Sequence, residues 1–359
     1  MARNRFFGLT NRFLMVLAAL LPVFSYLSMI VNPAEFWLMS VAGLLFVPIM
    51  LLNLFLLIWA IKRRSKAFVI PLMAILPAFF FMGRYVHFRG DETTMQTSGN
   101  TLKIMSWNVG RFAVYDRNSH DIVNFEECVD SVFGYISRHN PDIVCLQEFK
   151  VKDSRGVKQY LRHKMRGYSS EYYIYTGRSG SFGNVTLSRF PVKNRGVIKF
   201  DESTNLAIFT DYESSGRTFR VYNCHFESYG ISFSGIVKGI FDRGQEVIAE
   251  TGVKMKRSIT RRPKQVDKVF RDIEECPVEA FVCGDFNDNP MSYTYFRMTR
   301  GRKDTFVEAG DGFGATYSRL WPMLRIDYVL CPGSWEVKAH ETPRVRLSDH
   351  YPVITEVAL

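Results

Sequence analysis

The sequence predicts an α+β fold, a sandwich of mixed β-sheets with helices on its outer faces, preceded by about three transmembrane helices. Beyond residue 100, short β-rich runs outnumber helical stretches, and some runs are joined by turns short enough for hairpins, such as Ser214-Ser215-Gly216 within Thr210–Arg220. Before residue 90, the chain consists largely of uncharged apolar runs. At 359 residues it exceeds one typical domain, so a core domain with an additional part is expected.

Three apolar runs make up the predicted membrane anchor, residues 1–90. They cover residues 13–31, 36–61 and 67–83. The third run is the shortest and contains Pro71 and Pro77. At ~1.5 Å per residue, a helix of about 19 residues nearly crosses a hydrocarbon layer ~30 Å thick. A buried hairpin of core helices is the alternative. A cleaved signal peptide is disfavoured because the first run lacks a small-residue cleavage site and further apolar runs follow it.

Basic residues orient this anchor. Arg3, Arg5 and Arg12 precede the first run, and Lys62, Arg63, Arg64 and Lys66 separate the second run from the third. The connection 32–35 has no Lys or Arg. Under the positive-inside rule both basic segments face the cytoplasm, so three spans place the C-terminal domain on the extracytoplasmic side of the cytoplasmic membrane. If the third run only lies on the membrane, that domain stays inside.

The net charge of +11 is concentrated in the anchor. Residues 1–90 hold nine basic residues and the single acid Glu35, which leaves +3 for the rest of the chain. Most of the excess of basic residues is therefore interpreted as a signal for membrane topology. The net charge of the whole chain is weak support for a nucleic-acid-binding surface.

Residues 91–100 form a predicted polar linker, and residues 101–359 form the C-terminal domain. The predicted strands are Leu102–Asn108, Ile143–Gln147, Asn184–Ser188, Leu206–Tyr212, Thr218–His225, Ala280–Gly284, Ile326–Cys331 and Pro352–Val357, with helices near Asn124–Arg138 and Pro263–Cys276. Polar side chains follow several of these strands, which is where a sheet presents side chains to a ligand.

Glu148 follows the apolar run 143–146. A buried and unpaired carboxylate is costly there, so Glu148 is predicted to face a pocket and bind a cation. Asp285 and Asn287 lie two residues apart at the end of another strand, and the period-two geometry of strands aims both toward one side. The alternatives are a solvent-exposed strand-end Glu and an Asp-Phe-Asn turn with local hydrogen bonds.

Asp349 and His350 form an adjacent pair before Tyr351-Pro352. An imidazole titrates near neutrality, and a neighbouring carboxylate can fix its tautomer. Asp327 lies in an otherwise apolar strand and needs a partner, for which His350 is the candidate. His225 ends a further strand and is a candidate phosphoryl contact. A surface Asp-His turn and a hydrogen-bonded core histidine are the alternatives.

In this order the motifs resemble the endonuclease/exonuclease/phosphatase superfamily, which has the DNase I-like fold. The matching stretches are Ile104–Gly110, Asp142–Glu148, Gly183–Val192, Asn223–His225, Gly284–Asn287, Arg325–Tyr328 and Ser348–His350. The resemblance implies a four-layer α/β sandwich, two packed mixed sheets flanked by helices, over residues 101–359.

The resemblance also implies a role for each matching residue. Glu148 is expected to be the main Mg²⁺ ligand (Mn²⁺ can substitute), with Asn108 and Asp349 beside it. Asp285 is expected to orient or activate water, and Asn287 and His225 to hold phosphoryl oxygens. His350, paired with Asp327, is expected to stabilise the pentacovalent state or give acid/base help. In the Gly183–Val192 match, Asn184 and Arg189 are expected to contact substrate.

The sequence departs from the family's nucleases in two apolar loops and in the lack of recognisable DNA-gripping loops. The two apolar loops are Tyr229–Gly244 and Leu320–Leu324. Either they pack as ordinary loops or they dip into the bilayer surface and admit a lipid headgroup. If the loops enter the bilayer surface, a nearby basic cluster is expected to meet anionic headgroups; the alternative is a solvated helix start. The cluster consists of Lys254, Lys256, Arg257, Arg261, Arg262 and Lys264.

The favoured function is a membrane-anchored, Mg²⁺-dependent phosphoesterase acting on phosphodiester or phosphomonoester bonds, with a lipid-linked phosphate as the preferred substrate class. The alternatives are a membrane-tethered extracytoplasmic endonuclease or exonuclease acting on DNA or RNA, and a non-catalytic binding module. The expected partners are the lipid bilayer and a phosphorylated substrate, and no protein partner is inferred.

Overall fold

A computed structural model describes residues 2–88, 101–113, 124–177, 180–230 and 245–359. The predicted linker 91–100 and residues 231–244 of the first apolar loop lie outside these ranges. The chain divides into two compact units. One, the helical unit, comprises Met1–Tyr85, Tyr229–Lys264 and Asp288–Phe296, and the other, the sandwich unit, comprises Val86–Ser228, Gln265–Asn287 and Arg297–Leu359.

The helical unit begins with five α-helices. They are α1 (Ala2–Leu27), α2 (Trp37–Leu44), α3 (Phe46–Lys62), α4 (Val69–Ile75) and α5 (Phe79–Met82), with short 3-10 helices at Lys66–Phe68 and Leu76–Ala78. Pro22 lies within α1. The second predicted run is divided at Leu45, where α2 and α3 meet at 66°. The third is a series of short helices, in agreement with its two prolines.

The three predicted transmembrane spans are not found as single helices. Among the described residues, none of the helices is by itself long and apolar enough to cross a bilayer, whereas α2 and α3 reach that length and apolarity as a bent pair. The apolar stretches 12–27 and 66–82 are shorter. The prediction of three separate spans was therefore not supported.

Two polar side chains inside the helical unit donate hydrogen bonds to backbone carbonyls of neighbouring helices. The amide nitrogen of Asn53 donates to the Ala18 carbonyl and to that of Ile49, both at 3.0 Å. The Ser25 hydroxyl donates to the Ala42 carbonyl at 2.7 Å. Buried polar groups need such partners, and these bonds fix how α1 lies against α2 and α3.

A long helix, α8 (Gln245–Glu274), begins in the helical unit and ends in the sandwich unit. A helix was predicted to begin near Pro263, but α8 starts well before that residue, and Pro263 lies inside it. Arg262 of the predicted basic cluster is buried and pairs with Asp288 at 2.9 Å, so its charge is not offered to a lipid surface. The cluster therefore divides into this buried arginine and exposed lysines such as Lys254 and Lys256.

The sandwich unit contains fourteen strands among the described residues. They are β1 (Val86–His87), β2 (Thr101–Asn108), β3 (Ile143–Val151), β4 (Ser169–Gly177), β5 (Gly180–Ser188), β6 (Asn194–Lys199), β7 (Leu206–Ser214), β8 (Arg217–His225), β9 (Glu279–Asp285), β10 (Arg302–Asp304), β11 (Gly312–Phe313), β12 (Asp327–Pro332), β13 (Val337–Glu341) and β14 (Val353–Ala358). The remaining helices are α6 (Phe125–His139), α7 (Val157–Lys164), α9 (Tyr293–Met298) and α10 (Thr305–Ala309), with 3-10 helices at Gly110–Phe112 and Ser318–Leu320. Of these, α9 begins in the helical unit.

These strands form two six-stranded mixed sheets, in the orders β13-β14-β2-β3-β5-β4 and β10-β12-β9-β8-β7-β6, and a small pair β1-β11. The pairings β2–β3 and β8–β9 are parallel, and the other pairings of the two large sheets are antiparallel. Apolar side chains of both sheets form one core between them, and α6 and α7 cover the outer face of the first sheet. The predicted α+β sandwich of mixed sheets is confirmed.

Alternation along the strands sets up the polar edge of this core. On β8, Phe219 and Val221 point into the core between the sheets, and Asn223 and His225 continue the same row. On β9, Phe281 and Cys283 are followed in the same way by Asp285. Every second side chain of a strand points to the same face of the sheet. The inward-facing rows of these strands therefore begin with apolar residues and end with polar ones.

A buried ion pair joins β7 and β8 in the second sheet. Asp211 and Arg220 are direct register partners, with Nε–Oδ1 at 2.6 Å and Nη2–Oδ2 at 2.9 Å. Both residues are 7% exposed, and the guanidinium lies 3.9 Å from the Phe209 ring centroid. The hydrogen bonds to Asp211 raise the pKa of Arg220, so the guanidinium stays charged at any physiological pH.

Replacing Asp211 with Asn is expected to lower the free energy of unfolding by about 3 kcal/mol, because it leaves the buried arginine charge with only the more distant Asp272 carboxylate, at 3.5 Å. The measurement is thermal unfolding of the full chain followed by circular dichroism. Glu213→Gln is the matched control, because Glu213 lies on the same strand as Asp211. Its ion pair with Lys193 is half exposed and contributes at most ~1 kcal/mol to stability. Equal melting temperatures for the two variants contradict this account of the pair.

Candidate active site

Three polar residues stand side by side on adjacent strands at one end of the second sheet. His225 of β8 is the register partner of Asp285 of β9, and Asp285 is the register partner of Asp327 of β12. All three are buried. Residues in one register position of neighbouring strands project the same way, so the sheet itself brings together groups that lie 60 and 42 residues apart in the chain.

Asp285 is the centre of the hydrogen-bond network. Its Oδ2 accepts a hydrogen bond from Asn108 Nδ2 at 2.9 Å and one from Asn287 Nδ2 at 3.1 Å. Its Oδ1 accepts the Asn287 backbone N–H at 2.8 Å. Burial, with the nearby charge of Asp327, raises the pKa of Asp285 to about 6 despite these donors. A carboxylate that titrates so close to neutrality suits a group that accepts a proton from water.

His350 pairs with Asp327, the partner predicted for it, through a contact of 2.8 Å between Nδ1 and Oδ2. Burial lowers the pKa of His350, but the charges of Asp327 and Asp285 outweigh burial and raise that pKa to about 10. The Thr316 hydroxyl oxygen accepts a hydrogen bond from the Asp327 backbone N–H at 3.1 Å, which fixes the start of β12. The imidazole is therefore held as a cation that can donate through Nε2.

Glu148 lies at an irregularity of β3 where the register against β5 shifts between Leu146 and Phe149. Its φ is +51°, a left-handed conformation that is uncommon for a residue with a side chain. A bulge turns a side chain out of the regular alternation, and here it gives Glu148 a side chain that is 23% exposed. Burial opposes ionisation, but the charges of His225 and Arg111 lower the pKa of Glu148.

His225 lies between the two carboxylates. Its Nε2 is 3.8 Å from Glu148 Oε1 and 3.7 Å from Asp285 Oδ2, both beyond hydrogen-bond distance. This buried nitrogen has no hydrogen-bond partner among the described residues. Buried polar atoms are normally satisfied, so an orphaned donor facing two acids fits an anionic oxygen of a ligand.

Asn108 and Asp349 meet at the loop that follows β2. The Gly110 N–H donates to Asn108 Oδ1 at 3.0 Å, and the Ser348 hydroxyl donates to the Asn108 carbonyl at 2.7 Å. Gly110 has a φ of +53°, and a Cβ there would lie 2.8 Å from Asp349 Oδ1. Only glycine therefore lets Asp349 approach this loop so closely.

The donor atoms of the site fit a hard divalent cation. Carboxylate and carboxamide oxygens are the ligands such cations prefer, and Glu148, Asn108 and Asp349 supply them. Asp285, Asp327 and His350 also offer ligand atoms within 4.8 Å of one another. The hydrogen-bonded, positively charged imidazole of His350 is a poor ligand, however, and this second group is better described as a proton-handling one.

Two predicted roles are not matched by the geometry. Asn287 uses both hydrogens of its amide nitrogen on Asp285 and on the Phe226 carbonyl at 3.0 Å, so it positions Asp285 and has none left for a phosphoryl oxygen. Asn184 is 1% exposed and donates to the Asn223 and Leu206 carbonyls at 3.0 and 3.2 Å, so it joins the two sheets.

Arg189 is not brought to the site. Its backbone N–H donates to the Asp142 carbonyl at the start of β3, whereas Glu148 lies near the other end of that strand. At ~3.3 Å per residue, these positions are roughly 20 Å apart. The Arg189 side chain instead stacks on Tyr168, with 5.3 Å to the ring centroid. The correction follows from β5 running antiparallel to β3, which carries the end of β5 away from Glu148.

Sequence reasoning missed several residues around the predicted set. Arg111 Nε lies 2.9 Å from Glu148 Oε2. The Tyr317 ring packs edge-on against the His350 imidazole at 5.1 Å, and Arg319 lies 3.6 Å from the Asp349 carboxylate. Arg111 directly follows the first motif, so its position in the sequence was a signal that could have identified it. The other two lie on a loop whose path the sequence does not indicate.

Two family models match the chain. A model of the Endonuclease/Exonuclease/phosphatase family matches residues 105–350, and a model described as a domain of unknown function (DUF8431) matches residues 4–85. Comparison with curated proteins gave no match.

Solved structures share the fold of the sandwich unit. An endonuclease/exonuclease/phosphatase from Bacteroides vulgatus is 20% identical, with 72% of this chain and 99% of that chain covered and a TM-score of 0.53. Humanized D. rerio TDP2 is 18% identical (72% and 99% covered, TM-score 0.51). The human Nocturnin catalytic domain with bound sulfate anion is 17% identical (72% and 94% covered, TM-score 0.51). At such identities the likeness concerns the fold, and it agrees with the predicted DNase I-like architecture.

The family's members generally hydrolyse phosphoester bonds and are typically metal-dependent. Its model spans more than half of the chain, including the three-strand row of polar residues and the His350–Asp327 pair. This chain therefore belongs to the Endonuclease/Exonuclease/phosphatase family.

Proposed function

We propose that this protein is a membrane-associated, Mg²⁺-dependent phosphoesterase that hydrolyses phosphodiester or phosphomonoester bonds of a lipid-linked phosphate. The observation that carries the hydrolytic part is the placement of His225 between Glu148 and Asp285, at 3.8 and 3.7 Å, beside the His350–Asp327 pair. This arrangement combines an acid that titrates near neutrality, a held imidazolium and an orphaned donor in one place.

Each residue has a separate task in this proposal. Glu148, Asn108 and Asp349 hold Mg²⁺ (or Mn²⁺ in its place), which supplies Lewis-acid polarisation and charge neutralisation. Asp285 orients the attacking water and accepts its proton, and Asn108 and Asn287 keep the carboxylate pointed at it. His225 donates to one phosphoryl oxygen. His350 donates through Nε2 to a developing negative charge and is held for that by Asp327.

The outer surface of the N-terminal helices supports membrane association. Large apolar side chains there are exposed on each of the three predicted runs, including Phe13 at 62%, Phe55 at 63% and Phe80 at 86%. Exposed apolar area on this scale is characteristic of a surface that meets lipid or another apolar partner. We propose a location in the cytoplasmic membrane, with the Lys- and Arg-rich segments on its cytoplasmic face.

The loop Leu320–Leu324 supports a lipid-linked substrate. Trp321 is 37% exposed and Met323 is 40% exposed, and they follow Arg319, which lies 3.6 Å from Asp349. Arg344 lies over the Trp321 ring at 4.1 Å. An aromatic side chain with a cation beside it suits the boundary between acyl chains and headgroups. The other predicted loop, 229–244, lies mostly outside the described residues.

The runner-up, a tethered nuclease, is favoured by a cleft on the sandwich unit. Arg155, Arg162 and Arg166 are among the residues that line it. Clustered cations of this kind can follow a phosphate backbone. A non-catalytic binding module remains the third reading, and binding without turnover distinguishes it.

The proposal is tested by supplying the full-length protein in lipid nanodiscs with labelled DNA, labelled RNA and a panel of phosphorylated lipids in parallel. We expect hydrolysis of lipid phosphates with Mg²⁺, and a fall to background when EDTA removes the metal. A cleavage of DNA or RNA with inert lipids selects the nuclease, and activity that survives EDTA contradicts the metal requirement. Binding of these compounds without any turnover selects the binding module.

A further inference from the structure

The loop that follows the catalytic Asp285–Asn287 motif belongs to the helical unit. Residues 288–292, which we call the post-catalytic loop, group with Met1–Tyr85, whereas Asn287 groups with the sandwich unit. Only one peptide bond separates Asn287 from this loop. Whatever holds the loop therefore constrains the residue that positions Asp285.

Side-chain and backbone hydrogen bonds hold the loop on the N-terminal helices. Asn289 Nδ2 donates to the Gly43 carbonyl at 2.8 Å and to that of Leu44 at 3.3 Å. These carbonyls belong to the last turn of α2, and the Gly43 carbonyl also accepts the backbone N–H of Leu45 just past the helix. The Ser28 hydroxyl, just beyond α1, lies 2.5 Å from the Met291 carbonyl oxygen and 2.7 Å from the Ser25 carbonyl oxygen, so its one hydrogen is shared between them. The loop thus caps one N-terminal helix and accepts a hydrogen bond from the end of another.

These contacts are buried in an apolar environment. Ser28 and Met291 are 0% exposed, and Asn289 is 2% exposed. The Met291 side chain packs in one cluster with Met29, Phe46 and Ala78 of the helical unit. A hydrogen bond in such surroundings is costly to break, because neither partner finds water when it is lost.

Gly43 shows how closely the loop and the helices approach each other. A Cβ added at this position would lie 2.3 Å from Ser28 Oγ and 2.4 Å from the Met291 carbonyl oxygen. Both distances are well below van der Waals contact, and one of the atoms is backbone. A side chain at this position therefore has to displace the post-catalytic loop or α1.

A charged cluster holds the loop at its other end, beside the catalytic motif. Asp288 accepts hydrogen bonds from Tyr229 OH at 3.1 Å and Thr294 Oγ1 at 2.9 Å, and it pairs with Arg262 at 2.9 Å. The preceding Asn287 has a φ of +52°. A strained backbone of this kind persists only where its surroundings hold it on both sides.

We propose that the N-terminal helices position the active-site loop, and that Ser28, Gly43 and Asn289 are positioning residues for hydrolysis. The proposal rests on the proposed function, because it concerns the same site. It assigns to the helices a role in turnover in addition to membrane association. The helices hold residues 289 and 291 of the loop that directly follows Asn287. Asn287 in turn holds the Asp285 carboxylate toward the attacking water.

The test compares Gly43→Ala with Gly252→Ala in full-length protein in nanodiscs. Gly252 is a helical glycine of the same unit, and nothing lies within 4 Å of a Cβ added there. For Gly43→Ala we expect kcat to fall about tenfold with KM little changed, because a small displacement of a catalytic group is costly. We also expect faster amide hydrogen exchange in the peptide covering residues 286–292. Gly252→Ala should match the wild type in both.

Ser28→Ala decides the matter if Gly43→Ala does not fold, because it removes one hydrogen bond without a clash. We expect about a threefold fall in kcat and a smaller rise in the same exchange rate. Wild-type kcat in a folded variant overturns the proposal, and so does a lower kcat with unchanged exchange of residues 286–292. Hydrogen exchange is measured without substrate, so it tests this inference separately from the proposed function. Unchanged exchange in the variants contradicts the inference. A wild-type protein that is inactive on every phosphoester contradicts the proposed function.

Discussion

Replacing Glu148 with Gln is expected to lower kcat for phosphoester hydrolysis roughly 1,000-fold, the scale seen when a group that stabilises transition-state charge is removed. Gln keeps the size of the side chain and an oxygen that can accept from Arg111 Nε, now at 2.9 Å. It removes the negative charge that a hard cation needs. The measurements are kcat at saturating Mg²⁺ and Mg²⁺ binding by calorimetry, and both should fall.

Glu275→Gln is the control for this substitution, since the chemical change is the same. Glu275 is exposed and lies before β9, at the end of that strand opposite Asp285. We expect it to leave kcat and Mg²⁺ affinity unchanged. Retained activity together with retained Mg²⁺ binding in Glu148→Gln is the result that rules out Glu148 as the main ligand.

Replacing Asp327 with Asn is expected to lower kcat near neutral pH about 100-fold and to move the pH optimum toward acid. In the wild type, burial lowers the pKa of His350, but the charges of Asp327 and Asp285 raise it to about 10, so the imidazole is protonated throughout the neutral range. Without the Asp327 charge, burial counts for more and the pKa falls. The imidazolium that donates a proton or hydrogen bond is then lost as pH rises, and activity returns as pH falls.

The measurement is kcat for each protein between about pH 5 and about pH 9, the range in which histidine commonly titrates. His350→Gln provides the comparison, because it removes the titrating group and should show no recovery at low pH. An Asp327→Asn profile that is lowered uniformly, without an acid shift, means that the carboxylate acts through something other than the charge of His350.

Much of the sandwich was predictable because many of its strands are short apolar runs bounded by polar or turn residues. Predicted strand Leu206–Tyr212 corresponds to β7, and the hairpin predicted through Ser214-Ser215-Gly216 is present, with Ser215 and Gly216 both at positive φ. The β3 strand was predicted to end at Gln147 and continues to Val151, because the bulge at Glu148 interrupts the pattern without ending the strand.

The apolar N-terminal runs show the limit of composition as a guide. Hydropathy alone identifies where apolar residues occur, but it does not register a 66° bend at Leu45 or a run divided by Pro71 and Pro77. Arg189 shows the same limit in the site, since a motif match does not reveal which end of an antiparallel strand faces the pocket.

The amino-acid sequence by itself determined the chemical identity of the site: which acids, amides and imidazoles end the apolar strands, and that Asp327 requires a partner. It could do so because burying a charge is costly wherever the chain places it. Only the tertiary structure decided which of these groups meet, since the registers of β8, β9 and β12 align His225, Asp285 and Asp327. It also decided that residues 288–292 pack with the N-terminal helices, because contacts between segments some 250 residues apart leave no local pattern in the chain.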